Sequence, residues 1–364
     1  MGLPEKIIEI ESQLSKTQVN KATEHHVGML KAKLARLKAE MGDKASKGGG
    51  GPSAGFDVKK SGNASVVFIG LPSVGKSTML NALTGSKSKI AAYAFTTLTC
   101  IPGMMHYKGA DIQLLDLPGI IAGAKTGKGR GKEVLAVARN ADLILLIVDS
   151  FDPYYTAKLA GELYGIGIRL DAEPPRMTLH RTDKGGLNVF FDKPNTKMTR
   201  KTFEAILNEY GYFSANVIVH EDISADQLID FLVGTRRYIP SLIVLNKIDL
   251  MKKNVLAKLD LGEEFVGISA QKGRGIGELK EAIYRKLRLI RVYTRSRNED
   301  RDDDVPLMVR EGSTIEEACV GLHRDLAENF KYAFVWGPSA KFPGQRAGRD
   351  HKLKDGDKFY VRLK

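Results

Sequence analysis

Val66-Val67-Phe68-Ile69-Gly70-Leu71-Pro72-Ser73-Val74-Gly75-Lys76-Ser77-Thr78 decides how this chain is read. Val66 to Ile69 is a β-branched and aromatic run of the kind that forms a buried strand. Directly behind it, Gly70 and Gly75 allow backbone angles that other residues resist. Successive N–H groups in such a turn can curl around an anion. The run Thr78-Met79-Leu80-Asn81-Ala82-Leu83 predicts a helix starting near Lys76, with its positive end aimed at the same anion. Lys76 would then reach the outer phosphates and the Ser77 hydroxyl would ligate Mg²⁺. A glycine-rich turn containing a lysine can be nothing more than a turn. A strand before it and a helix after it make it a phosphate loop, with Gly70, Pro72, Ser73, Val74, Gly75, Lys76, Ser77 and Thr78 as its wall. The implied class is α/β, a mostly parallel sheet flanked by helices.

Three later motifs specify the ligand. Asp116-Leu117-Pro118-Gly119 ends a predicted strand over Asp111 to Leu115, 40 residues beyond Lys76. An Asp there can hold Mg²⁺ through water, and the Gly119 N–H can meet a γ-phosphate. Asn246-Lys247-Ile248-Asp249 ends another predicted strand, Ser241 to Leu245. The Asp249 carboxylate can accept both N1–H and the exocyclic amine of guanine. Adenine offers an acceptor at N1 and no amine there, so such a site rejects ATP. Ser269-Ala270, behind a strand over Phe265 to Ile268, can offer backbone N–H to the guanine O6. Asp-x-x-Gly and Ser-Ala mean little alone; in this order they describe one guanine-nucleotide site.

Between the first two motifs lies Tyr93-Ala94-Phe95-Thr96-Thr97. A Thr in this loop closes over Mg²⁺ and γ-phosphate and releases when phosphate leaves. Thr97 is the favoured ligand, with Thr96 as the alternative. Lys76, Thr97 and Gly119 are the expected catalytic set, and Ser77, Thr97 and Asp116 the expected metal set. The residue after Gly119 is Ile120, followed by Ile121, where Ras-like enzymes place a Gln that orients the attacking water. Slow hydrolysis by the isolated chain is expected, accelerated by a partner, a backbone group or a monovalent cation.

The chain has 364 residues, a formal net charge of +13 and 43% hydrophobic residues. That length suits two or three modules with proper cores. The charge favours a polyanionic partner. Two cysteines, Cys100 and Cys319, lie far apart without metal spacing, which implies a reducing compartment and no disulfide framework. No long apolar run suggests a membrane span, and the start lacks a signal-peptide core, so a cytoplasmic protein is expected.

Four regions are expected. Residues 1–47 form a helical hairpin, with Ile7, Ile8, Ile10, Leu14, Val27, Leu30, Leu34 and Leu37 at helical spacing and a break at Asn20-Lys21-Ala22-Thr23. His25 and His26 read as polar surface. Residues 48–63 form a Gly-rich joint. Residues 64–292 form the nucleotide domain. The 97 residues from Asp149 to Asn246 exceed what one helix and one strand need, so an α+β module is inserted at about 160–235. It contains Pro174-Pro175, the turn Lys184-Gly185-Gly186 and a helix over Arg200 to Tyr210, and its chemistry is silent. A helix over 277–290 closes the nucleotide domain and runs into a basic stretch with Tyr284 and Tyr293 interleaved. A linker over Asn298 to Asp304 leads to a last module, 303–364, with a helix over Thr314 to Glu328 and strands over Tyr332 to Trp336 and Lys358 to Leu363. That order suggests a small ubiquitin-like β-grasp.

The phosphate loop, Tyr93-Ala94-Phe95-Thr96-Thr97 and Asp116-Leu117-Pro118-Gly119-Ile120-Ile121 resemble the Obg-related branch of P-loop GTPases. Asn20-Lys21-Ala22-Thr23 in the helical head, Lys128-Gly129-Arg130-Gly131 and the large insertion resemble the developmentally regulated GTP-binding (DRG) proteins. Tyr332-Ala333-Phe334-Val335-Trp336-Gly337 resembles the TGS domain that closes that family. The resemblance covers essentially the whole chain. It implies a cytoplasmic, Mg²⁺-dependent GTPase that binds GTP and GDP, acts with ribosomes or RNA in translation, and has a dedicated regulatory protein; no DNA or membrane partner is expected. The alternative is a ribosome-assembly or RNA-binding factor in which GTP only gates conformation. Two departures stand out: Ala122 replaces an acidic residue common in the family, and Ser73 stands where some related GTPases place a K⁺-binding Asn, so K⁺ is a candidate second cation.

Overall fold

The computed structural model describes residues 2–18, 20, 23–47, 61–85, 101–117, 137–256, 258–295 and 305–364. Thr96, Thr97, Gly119, Ile120, Ile121, Ala122, Lys128 to Gly131 and residues 48–60 of the Gly-rich joint lie outside the described residues. In their described parts, the residues divide into two compact units. One combines Met1–Gly55 with Gly167–Tyr238, and the other Phe56–Ile166 with Ile239–Lys364.

The second unit contains a six-stranded sheet. Its strands are β1 (Ala64–Gly70), β2 (Ile101–Tyr107), β3 (Ala110–Asp116), β4 (Leu143–Asp149), β10 (Ser241–Asn246) and β11 (Phe265–Gly267), in the order β11-β10-β4-β1-β3-β2. Neighbours run parallel except β2, which is antiparallel to β3. Every residue of β1 and β10 is buried, which is why both read as continuous apolar runs. Helices α3 (Lys76–Thr84), α4 (Thr156–Gly165), the short α7 (Lys253–Leu256) and α8 (Ile276–Leu287) accompany this sheet. Val66, Phe68, Met79, Leu83, Ile112, Leu145, Val244, Leu279 and Ile283 belong to one buried cluster. The parallel order brings the C-terminal ends of β1, β3, β4 and β10 to one edge, where α/β sheets bind ligands.

The first unit joins parts of the chain that are remote in sequence. Helices α1 (Leu3–Lys16) and α2 (Glu24–Lys47) form the expected hairpin, with Ile7, Ile10, Val27 and Leu30 buried and His25 and His26 exposed. Asn20 and Thr23 exchange backbone-to-side-chain hydrogen bonds at 3.0 Å at the break. The insertion begins and ends with the paired strands β5 (Ile168–Leu170) and β9 (Arg237–Ile239). Between them β6 (Met177–Arg181), β7 (Leu187–Phe191) and β8 (Ala215–Val219) form a sheet in the order β6-β8-β7, alongside α5 (Arg200–Glu209) and α6 (Ala225–Val233). Phe203, Ile206 and Leu207 of α5 share a core with Val217, Leu228 and Ala32 of α2. Lys31 meets Asp226 at 2.7 Å, and the Thr199 N–H donates to Glu24 at 3.0 Å. Residues 160–166, expected in the insertion, belong instead to the nucleotide unit, 160–165 within α4, and the insertion extends to 238.

The closing module differs from expectation at its start. The helix over 277–290 stops at Leu287 because Arg288 turns left-handed, at φ 50°. Leu289–Thr294 is then a strand, β12, in which Ile290 and Val292 alternate into the core. It pairs antiparallel with β13 (Leu307–Arg310) and parallel with β16 (Lys358–Leu363). With β14 (Phe330–Trp336) and β15 (Gln345–Ala347), the sheet order is β13-β12-β16-β14-β15. The module therefore begins near 289, not at 303. The helix expected over Thr314 to Glu328 is two helices, α9 (Ile315–Leu322) and α10 (Arg324–Glu328). His323 separates them: its backbone is extended at φ −162° and its side chain caps α10 by accepting from the Asp325 N–H.

Candidate nucleotide site

The phosphate loop leaves β1 at Gly70 and enters α3 through Gly75, which sits at φ 93°; Ser73 is also left-handed, at φ 65°. A Cβ at Gly75 would stand 2.3 Å from Asn246 Nδ2, and one at Gly70 would stand 2.3 Å from the Ile147 carbonyl oxygen. Gly70 is required by close approach, and Gly75 by close approach and by its left-handed conformation. Lys76 is buried at the start of α3, where its ammonium donates to the carbonyls of Gly70 at 3.1 Å and Leu71 at 2.9 Å. Burial depresses its pKa, and the negative charge of Asp116 opposes that shift. A buried lysine bonded only to neutral carbonyls is poised for an anion.

At the end of β3, Ser77 Oγ donates to Asp116 Oδ2 at 2.7 Å. Asp116 is buried, and its Oδ1 has no hydrogen-bond partner among the described residues. A buried, unpartnered carboxylate oxygen is costly unless a cation or donor reaches it. The set of a hydroxyl, a carboxylate and phosphate oxygens is the hard-oxygen environment that Mg²⁺ takes. Among the described residues, no three His, Cys, Asp or Glu side chains gather to hold a metal. Thr78 sits in the first turn of α3, and Pro72 and Val74 complete the loop between its glycines.

The base-side motifs meet at the end of β10. Asn246 is buried; its Nδ2 donates to the Val74 carbonyl at 2.8 Å and its Oδ1 accepts from the Ala270 N–H at 3.0 Å. Lys247 turns left-handed at φ 61°, and its ammonium meets Asp149 Oδ2 at 2.7 Å and lies 5.3 Å from the Phe151 ring centre. The Asp249 carboxyl is held below the usual carboxylate range, first by the Ser269 hydroxyl and then by Lys272, whose ammonium is 3.0 Å away. Ionised, it remains an acceptor for two guanine N–H groups. Ser269 is buried and held by backbone bonds to Arg274 at 2.9 and 3.2 Å.

The structure thus brings together Gly70, Gly75, Lys76, Ser77, Asp116, Asn246, Lys247, Asp249, Ser269 and Ala270. Sequence reasoning missed Asp149, Phe151 and Lys272. Asp149 was legible only as a strand end, because its pairing with Lys247 depends on β4 lying beside β10. Lys272 follows Ser269 by three positions, and only the turn after β11 aims it at Asp249.

Three family descriptions match in succession: "50S ribosome-binding GTPase" over 65–181, "C-terminal region of MMR_HSR1 domain" over 184–289 and "TGS domain" over 290–361. A GTP-binding protein of Methanocaldococcus jannaschii is 50% identical over 100% of this chain and 94% of its own length. Developmentally-regulated GTP-binding protein 1 of Xenopus laevis is 45% identical over 99% of each chain. The solved YchF GTPase of Schizosaccharomyces pombe is 16% identical, covers 84% of this chain and 99% of its own, and has a TM-score of 0.43, a likeness too slight to build on. With full-length relatives at this identity and a GTPase domain followed by a TGS domain, the chain belongs to the developmentally regulated GTP-binding protein family and is a GTPase.

Proposed function

We propose that this chain is a slow GTPase that works on ribosomes as a translation factor and is regulated by a partner protein. The observation that carries the nucleotide reading is the Ser77–Asp116 pair beside an unpartnered carboxylate oxygen. In this reading the phosphates lie along Gly70 to Thr78 and guanine lies against Asp249, Ser269 and Ala270. Ser77, Asp116 and Thr97 would hold Mg²⁺, which would offset charge on the phosphate oxygens. Lys76 moves its hydrogen bonds from loop carbonyls to phosphate and stabilises charge that develops on the departing side. Gly119 contributes an N–H to the γ-phosphate. Ile120 carries no group that could orient water, so the basal rate is low, and a partner supplies what is missing. In related enzymes an external arginine is worth roughly 10³–10⁵-fold.

The ribosome reading is supported by the net charge of +13 and by the description of the matched GTPase family. Among the described residues, no helix is long and apolar enough to cross a membrane. Steady-state GTP hydrolysis, with and without purified ribosomes and in sodium and then potassium buffer, tests the proposal. Acceleration by ribosomes is the expected result. Flat, slow turnover in every condition, with no cosedimentation, overturns the ribosome reading; a potassium effect assigns a role to that cation.

A further inference from the structure

Asp149 is the last residue of β4 and lies opposite Asn246 of β10, so both strands end on the same rim of the sheet. Its two carboxylate oxygens serve residues just beyond those ends. Oδ2 accepts from the Lys247 ammonium at 2.7 Å, and Oδ1 accepts from the Phe151 N–H at 3.1 Å. The ammonium also lies 5.3 Å from the centre of the Phe151 ring. Carboxylate, ammonium and ring therefore close into one three-membered unit. Two features of this unit cost free energy. Lys247 is left-handed at φ 61°, a conformation that a lysine keeps only where its surroundings impose it. Phe151 is 74% exposed, which leaves most of an aromatic ring in water.

A charge-assisted bond between neighbouring strands could serve the sheet alone. That role needs neither a strained lysine just past the strand end nor a ring left in water. Lys247 directly follows Asn246, whose side chain is tied to the phosphate loop, and stands two positions before Asp249. In the guanine reading above, on which this inference rests, the Lys247 stem therefore lies beside the nucleoside. A lysine stem that moves freely loses rotamer freedom when it packs on a ligand. Anchoring its ammonium beforehand removes that cost from binding. We infer that Asp149 and Phe151 are positioning residues for the base. They fix the Lys247 ammonium from one side by charge and from the other by a ring face, and so hold its methylene stem ready to cover one face of guanine.

The test is the rate at which the full chain releases GDP labelled on its ribose, followed by stopped-flow fluorescence. Asp149→Ala should release GDP about tenfold faster, and Asp149→Asn less so, because the amide keeps an acceptor. Phe151→Ala should release it about threefold faster, with Phe151→Tyr restoring the rate. Phe151 is exposed, so its variants keep the fold, which thermal unfolding checks. In a Lys247→Ala background, Asp149→Ala should change nothing further, because Asp149 acts through Lys247. Inosine diphosphate lacks the exocyclic amine and should be lost faster by the same factor as GDP, since a face contact does not read the base edge. An unchanged rate in Asp149→Ala, or additive effects in the double variant, overturns the inference and leaves Asp149 serving the sheet alone. Asp249→Asn in the same assay separates the two readings. If that variant keeps the preference for GDP over xanthosine diphosphate, the guanine reading falls and this inference with it. If the preference shifts while Asp149→Ala releases GDP at the original rate, only this inference falls.

Discussion

Asn246 Nδ2 donates to the carbonyl oxygen of Val74 at 2.8 Å, across 172 residues of sequence, and so ties the base-side loop to the phosphate loop. The same amide accepts from Ala270, so one buried side chain sets the spacing of three loops. Asn246→Ala leaves a buried carbonyl and a buried N–H unpaired, which should cost about 2–3 kcal/mol of stability in the nucleotide-free protein. Urea unfolding measures this. A loss below the error of the extrapolation would show that the tie is dispensable.

Asp249→Asn exchanges an acceptor for a donor opposite the guanine exocyclic amine, where xanthine carries a carbonyl oxygen, so preference should move towards xanthine nucleotides. Unchanged selectivity in competition binding would remove Asp249 from the base site. Since Ser269 and Lys272 hold the carboxyl low, its contribution is present above the usual carboxylate range and is lost only as pH falls through the depressed value. Lys272→Ala should move that loss to higher pH, read as GDP affinity titrated downward from neutrality.

Ser77→Asn removes the hydroxyl bonded to Asp116 and should impair Mg²⁺-dependent GTP binding. Normal GTP affinity in this variant, measured with and without Mg²⁺, would refute the ligand role.

Lys76 pulls in opposite directions on stability and function. Its pKa is depressed by burial, so the folded protein without nucleotide disfavours its charge. Folding stability should therefore rise with pH between the depressed value and the ordinary 10.5. Lys76→Met should remove that slope, raise the thermal midpoint of the nucleotide-free protein and abolish hydrolysis. A lower midpoint would mean that the bonds to Gly70 and Leu71 outweigh the desolvation.

Met308 lies in the closing module and packs in the nucleotide core. Met308→Ala should cost about 2–4 kcal/mol and destabilise nucleotide binding from a distance. Removing residues 305–364 strands β12 without β13 and β16 and takes away Met308, so GDP-bound thermal stability should fall as well as any ribosome binding. A truncated chain as stable as the whole would show that the two modules are energetically independent.

The nucleotide site was legible because its parts are local. Gly70 to Ser77, Asp116, Asn246 to Asp249 and Ser269 each stand at the end of an apolar strand, and a parallel sheet must bring such ends to one edge. Backbone conformation at the glycines and the chemistry of guanine then leave little choice of ligand. Where local pattern was ambiguous, reading failed. Leu289 and Ile290 follow a helix with basic residues in its last turn, so they read as its end; only the pairing of Leu289–Thr294 with β13 and β16 makes that stretch a strand. His323 gave no sign that it would interrupt a helix of good formers.

By itself, the sequence determined the guanine-nucleotide class and the order of modules, and it located the loop residues proposed to hold phosphate, since each depends on contacts within a few residues of a motif. Only the tertiary structure decided that the N-terminal hairpin shares a core with the insertion, that Asp149 holds Lys247, and that Met308 belongs to the nucleotide core. These contacts join segments far apart in the chain. Burial of apolar surface favours such closure without regard to sequence distance, and nothing in a local pattern records which distant surface a face will meet.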